Sequence, residues 1–85
     1  MDFIIENNKI YKKDGSGRLI AEITYEDLGN NMYNIDHTFV DESLRGQGIA
    51  QMLVEEALKE INKKGGKVCA TCSYAKQYLK KKYNI

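Results

Sequence analysis

The stretch Val40-Asp41-Glu42-Ser43-Leu44-Arg45-Gly46-Gln47-Gly48-Ile49-Ala50 joins the end of an expected strand to the most regular helical pattern in the chain. Gly46 and Gly48 let the backbone approach a ligand closely and take positive φ, and the first turn of the following helix offers amide hydrogens that no carbonyl inside the helix accepts. The helix dipole adds partial positive charge there and Arg45 adds a full one, so the segment reads as an anion site. The plain alternative is a helix start whose glycines serve only the turn. The spacing is not Gly-x-x-x-x-Gly-Lys-Ser/Thr, and the third glycine of the dinucleotide fingerprint is missing, which speaks against nucleotide hydrolysis and nicotinamide binding.

Upstream of this loop, runs with β-branched and aromatic residues predict strands at Phe3 to Glu6, Lys9 to Lys12, Leu19 to Tyr25 and Met32 to Val40. Asp14-Gly15-Ser16-Gly17 and Leu28-Gly29-Asn30-Asn31 are the turn clusters between them, so an antiparallel meander is expected. Downstream, Ile49, Leu53, Ala57 and Ile61 fall at four-residue steps, widened by Ala50, Val54 and Leu58, with Gln51, Glu55, Lys59 and Asn62 on the wet face. This helix, from Gly48 to about Lys64, ends on Lys63-Lys64 and Gly65-Gly66, which suit the dipole and a left-handed cap. A strand from Lys67 to Cys72 follows, then a helix from Ser73, read as its cap, to about Lys82. The expected fold class is therefore α/β (α+β): a mainly antiparallel sheet with one parallel strand-helix-strand crossover and two helices.

The 85 residues are expected to form one domain, residues 1–85, with one modest core and no elaborate lid. A net charge of +1 argues against nucleic acid as an obligatory partner. No apolar run is long enough for a membrane span, and the start Met1-Asp2-Phe3-Ile4-Ile5-Glu6 has no secretory pattern, so the expected location is cytoplasmic. Cys69 and Cys72 are too few and too close for a disulfide framework, which fits a reducing compartment.

Parallel strands beside an anion loop place a ligand at their carboxyl ends, here His37 to Val40 and Ala70 to Cys72. Neighbouring strands would thus bring the single histidine and the cysteines near the loop. The ordinary pKa of a histidine side chain, about 6.5, suits a base for an amine, which makes His37 the candidate base against the plain reading of a packed strand histidine. Asp36 faces the other way by alternation unless a bulge intervenes. Cys72, between strand and helix, is either a small hydrophobe or a thiol activated by the helix dipole, with His37 as its base. Cys69-Ala70-Thr71-Cys72 spells Cys-x-x-Cys, but zinc needs four ligands and residues three apart on a strand diverge. Lys80-Lys81-Lys82 with Lys76 reads as a solvated helix end, with phosphate or RNA contact as the sharper alternative, and Tyr74 and Tyr78 read as packing against the sheet.

Arg45-x-x-Gly48-x-Ala50, between an apolar strand and an amphipathic helix, resembles the acetyl-CoA pyrophosphate loop of the GNAT N-acetyltransferase superfamily, Gln/Arg-x-x-Gly-x-Gly/Ala. Cys72-x-x-Ala75-x-x-Tyr78-Leu79 is similar to the superfamily's Asn-x-x-Ala-x-x-Phe-Tyr. The resemblance covers roughly residues 19 to 83, and the short length with His-Thr-Phe-Val and Cys-Ser-Tyr-Ala looks like its minimal, single-domain members. It implies a truncated GNAT-like core that takes acetyl-CoA as co-substrate. In that reading Arg45, Gly46, Gln47, Gly48, Ile49 and Ala50 hold the diphosphate, while the backbones of Phe39 and Val40 meet the pantetheine arm. Two positions depart from the pattern: Leu79 stands where the superfamily often has a tyrosine acid, and Cys72 where it has asparagine. The helices that shape the acceptor pocket in longer members are absent.

The expected function is acetyl transfer from acetyl-CoA to an amine acceptor of unidentified structure, with His37 and Cys72 as catalytic residues and no metal. The alternatives are a non-catalytic CoA or acyl-CoA binding module and a small thiol redox protein using Cys69 and Cys72.

Overall fold

The computed structural model describes residues 2–83. Its elements run β1 (Ile4–Glu6), β2 (Lys9–Lys13), β3 (Leu19–Gly29), β4 (Met32–Val40), a short 3-10 turn (Glu42–Leu44), α1 (Ile49–Lys63), β5 (Lys67–Ala70) and α2 (Ser73–Tyr83). The five strands lie in the sheet in chain order. The first four are antiparallel to their neighbours, and β5 joins β4 in parallel through the α1 crossover. The expected fold class is the observed one: a five-stranded, mostly antiparallel sheet with one parallel pair and two helices.

β3 continues to Gly29, four residues past the expected end at Tyr25. Its last residues, Glu26, Asp27, Leu28 and Gly29, are all exposed and include only one large apolar side chain, so they lack the apolar alternation that marks a half-buried strand. Asn30 and Asn31 alone connect β3 to β4, with φ of 55° and 62°. Two successive left-handed residues form the tight hairpin turn whose twist matches that of the strands, and asparagine tolerates that region better than most side chains.

Alternation puts Ala21, Ile23 and Tyr25 of β3 and Ile35 of β4 on one face of the sheet. α1 covers that face with Ile49, Leu53, Val54, Ala57, Leu58 and Ile61, the stripe expected from its periodicity. Ala75 and Leu79 bring α2 into the same core beside α1. Leu53 is fully buried, and burying such a side chain stabilises a fold by about 1.5–3 kcal/mol. Gly66 packs so closely on this core that a Cβ there would lie 2.6 Å from the Tyr33 ring. The opposite face carries the polar residues Lys9, Glu22, Thr24, Asn34, Asp36 and His37, all at least partly exposed except the buried Asn34. No helix among the described residues is long and apolar enough to cross a membrane.

Candidate functional site

β4 and β5 pair only over Met32–Ile35 and Lys67–Ala70. The amides of Thr71 and Cys72 both donate to the Ile35 carbonyl, at 3.1 and 3.2 Å, and the chain then turns into α2. Past Ile35, no strand among the described residues pairs with the second half of β4 on that side. The result is a slot between the end of β4 and the start of α2.

A bulge in β4 sets the slot's chemistry. Tyr25 pairs with Ile35 and Thr24 with His37, so Asp36 is an extra residue opposite β3. Such a bulge turns two consecutive side chains to one face. The Thr24 hydroxyl and Asp36 Oδ1 are 2.6 Å apart, and His37 Nε2 lies 3.5 Å from Glu22 Oε1, on the face away from α1. The condition attached to Asp36 in the sequence is therefore met, and Asp36 and His37 share a face. The His37 side chain is 54% exposed, whereas Glu22 is 16% exposed and also faces Lys9 Nζ at 3.5 Å.

The bulge also resets which backbone groups face the slot. The Asp41 amide donates to the Ile20 carbonyl of β3 at 2.8 Å, so alternation aims the Val40 and Thr38 backbones outward and that of Phe39 at β3. Of the two residues expected to meet a pantetheine arm, Val40 has an outward-facing backbone and Phe39 does not; the backbone of Thr38 faces outward instead.

Thr38 also reaches Cys72. The sulfur of Cys72 lies 3.4 Å from Thr38 Oγ1. Lys76 donates its amide to the Cys72 carbonyl, which makes Cys72, and not Ser73, the capping residue of α2. Burial pushes the Cys72 thiol up, but this is outweighed by hydrogen bonds from the Thr38 hydroxyl and from the amides of Ala75, Tyr74 and Thr38, so its pKa is lowered overall. A sulfur at a helix N-terminus surrounded by donors is the arrangement that favours a thiolate. His37 does not join it, because its side chain leaves β4 on the face opposite that of Thr38. The two thiols likewise diverge: Cys69 Sγ sits 3.6 Å from Asn34 Oδ1 on the polar face, and both cysteines are free.

The loop after β4 is braced by Asp41, whose Oδ2 accepts from the Ser43 hydroxyl at 2.6 Å and the Ser43 amide at 3.1 Å. These bonds hold the Asp41 carboxyl below the usual carboxylate range. Gly46 and Gly48 have φ of 80° and 72°, and Gly48 caps α1 in the left-handed region without a side-chain partner. The first bond of α1 runs from the Met52 amide to the Gly48 carbonyl. Among the described residues, the amides from Gly46 to Gln51 meet no protein acceptor, and the first turn has no acidic side chain. Arg45 is exposed beside them. A hollow of about 210 Å³ lies here, bounded by Val40, Leu44, Arg45, Gly46, Gly48, Ile49, Ala50, Gln51 and Tyr74. Thus Val40 and the expected anion-binding loop border one concave surface. Tyr74 corrects the sequence expectation, since it is exposed and lines this hollow instead of packing on the sheet.

Asn34 had no signal in the sequence. It is almost fully buried, donates through Nδ2 to Glu26 Oε1 at 3.2 Å and Thr71 Oγ1 at 3.1 Å, and so ties β3, β4 and the exit of β5 together below the slot. Its apolar neighbours on either side give no hint that a central strand position is polar.

A family model described as GCN5-related N-acetyl-transferase matches residues 9–84. The solution structure of a GCN5-like protein from Staphylococcus aureus superposes with a TM-score of 0.79 at 36% identity, covering 98% of this chain and 81% of that one. A GNAT family N-acetyltransferase from Escherichia coli, crystallised in complex with CoA, superposes with a TM-score of 0.63 at 28% identity, covering 73% of this chain and 38% of that one. The NATD1 proteins of Gallus gallus and Homo sapiens are each 35% identical over 60 residues, or 71% of this chain and 54% and 53% of theirs. The chain spans about half the length of the curated relatives it matches.

Proposed function

We propose, from the premise that the chain belongs to the GCN5-related N-acetyltransferase family, that it binds acetyl-CoA and moves the acetyl group to an amine. The observation that carries this reading is the row of amides from Gly46 to Gln51 without protein acceptors, beside Arg45 and opening onto the slot in the sheet. A diphosphate needs several donors at one place and no competing carboxylate, and the loop meets both conditions. The outward backbone of Val40 then offers strand-like hydrogen bonds to an amide-bearing arm lying in the slot. Bound in this way, acetyl-CoA supplies an acetyl group activated as a thioester.

Two side chains carry the chemistry. Cys72 presents a sulfur whose charged form is stabilised by four donors, so it can add to the thioester carbonyl, expel the CoA thiolate and hold the acetyl group as a new thioester until an amine attacks it and releases the Cys72 thiolate. His37 stands on the opposite, open face of the sheet from Cys72, with Asp36 and Glu22, so its part is confined to an amine that enters the slot from that face: it takes the proton of the incoming ammonium, which frees the nitrogen's electron pair for attack. A second reading, a CoA-binding module without turnover, is favoured by Leu79, which is buried where the superfamily often carries a tyrosine acid.

Incubation with acetyl-CoA and a panel of amines, followed by release of free CoA and mass spectrometry of the quenched protein, tests the reading. Free CoA formed in proportion to acetylated amine, with an acetyl adduct on the Cys72 peptide, is the expected result. Turnover without that adduct, retained by Cys72→Ala, removes Cys72 from the reaction and leaves direct transfer. Binding with no turnover for any amine selects the second reading.

A further inference from the structure

A buried polar side chain stands in the sheet one residue before the carbonyl at which the slot opens. Asn34 is 4% exposed, and an amide that deep is tolerated only when its hydrogen bonds are made. Both ends of the amide are satisfied: Nδ2 donates to Glu26 Oε1 at 3.2 Å and to Thr71 Oγ1 at 3.1 Å, and Cys69 Sγ lies 3.6 Å from Oδ1. Glu26 and Cys69 are its register partners on β3 and β5, the neighbours any residue would meet there. Thr71 is not. The register that pairs Asn34 with Cys69 and Ile35 with Ala70 would, if continued, set Thr71 beside Asp36 and Cys72 beside His37. Instead the Thr71 and Cys72 amides share the Ile35 carbonyl, and the Thr71 hydroxyl accepts from the Asn34 amide behind it. Main chain and side chain thus hold Thr71 at once, and Cys72 turns away into the cap of α2.

We propose that Asn34 is a positioning residue for the Cys72 sulfur, acting through Thr71 to stop the parallel ladder at Ile35 and keep the sulfur against the Thr38 hydroxyl. This rests on the reading of Cys72 as the acetyl carrier. Strand propensity and packing would be served as well by a β-branched apolar residue at this central position, so neither accounts for the amide. The groups that lower the Cys72 pKa, against the burial that raises it, are neutral donors: the Thr38 hydroxyl and the amides of Ala75, Tyr74 and Thr38. Bonds of this kind weaken steeply as distance and angle depart from the ideal. A slip of Thr71 therefore reaches the sulfur of the next residue.

Iodoacetamide labelling of Cys72 across pH, on the intact chain, tests this role. Thr71 is exposed, so Thr71→Val removes the hydroxyl without disturbing the core. It should lower the native labelling rate at neutral pH about fivefold, the scale of one neutral hydrogen bond, by moving the pH midpoint upward. Asn34→Leu should do the same, Thr71→Ser should label like the unaltered protein, and all should label alike in urea. Glu26→Ala frees Asn34 from β3 only, so it should lower Tm and leave the labelling profile unmoved. Thr71→Val labelling at the native rate, or Glu26→Ala shifting the profile as far as Thr71→Val, overturns the role and leaves the acetyl-CoA reading standing. Turnover with acetyl-CoA should fall in parallel with labelling; turnover unmoved while labelling falls takes Asn34 out of the reaction. An unaltered protein that neither binds nor turns over acetyl-CoA overturns that reading, whatever the labelling shows.

Discussion

The carboxylate of Asp36 and the imidazole of His37, consecutive in the chain, leave β4 on the same face of the sheet. An unbroken strand would send one of them into the core beneath α1. His37 thereby faces the open polar surface with Glu22 as its neighbour, and can serve an amine arriving on that side. His37→Gln is expected to lower turnover by about 10²-fold, the smaller end of the range for a general base, while calorimetric binding of acetyl-CoA stays unchanged. Equal loss of binding and turnover would make His37 structural instead.

The Cys72 thiol titrates below its ordinary value, so its thiolate forms at lower pH in the folded protein than in the denatured chain. The rate of iodoacetamide labelling at the Cys72 peptide, followed by mass spectrometry, should accordingly rise at lower pH in the native state than in urea. Thr38→Val removes one of the donors and should move the native profile back upward.

Gly48 and Gly65 share the left-handed region, with φ of 72° and 71°, and an added Cβ meets nothing at either. Replacement by alanine should cost each about 1–2 kcal/mol of strain, read as similar losses of Tm. Gly65 lies past the far end of α1, so only Gly48→Ala should also weaken acetyl-CoA binding. A Gly65→Ala variant that loses binding equally would remove the loop from the site.

Gly66 is needed for space and not for its φ. A Cβ there meets the Tyr33 ring at 2.6 Å and Ile61 Cγ2 at 3.0 Å. Tyr33 cannot swing freely, because it packs edge-on against Tyr25 at 6.2 Å. Gly66→Ala should cost about 1–3 kcal/mol by chemical denaturation, the usual cost of overpacking a core. Tyr33→Leu in the same background should recover part of the loss.

The helix α1, the four antiparallel strands and the parallel crossover were legible because each shows a period of 3.6 or 2 over several residues. The loop was legible because its glycines and the helix that follows stand together in the sequence. The bulge at Asp36 was not, since one extra residue changes no side-chain pattern until the partner strand is known. The capping residue of α2 was misassigned for a related reason: Ser73 is the stronger capping type, but the pair of amide hydrogen bonds from Thr71 and Cys72 to the Ile35 carbonyl turns the chain into the helix at Cys72. Tyr74 and Tyr78 lie four apart whatever they face; Tyr74 is exposed at the hollow while Tyr78 is half-buried against the core, and only the positions of Ala75 and Leu79 in that core decide this.

Because the strands stand in the sheet in chain order, β1 to β4 are joined by neighbouring hairpins, whereas β5 reaches β4 only through the α1 crossover. The slot does not exist until that last strand joins. A ligand seated there acts as a clasp on the β5–α2 segment, and by linkage its own affinity is set partly by how often that segment opens. Hydrogen exchange slowed by acetyl-CoA from Lys67 to Tyr83, with the β2–β3 hairpin unaffected, would be the imprint of that clasp.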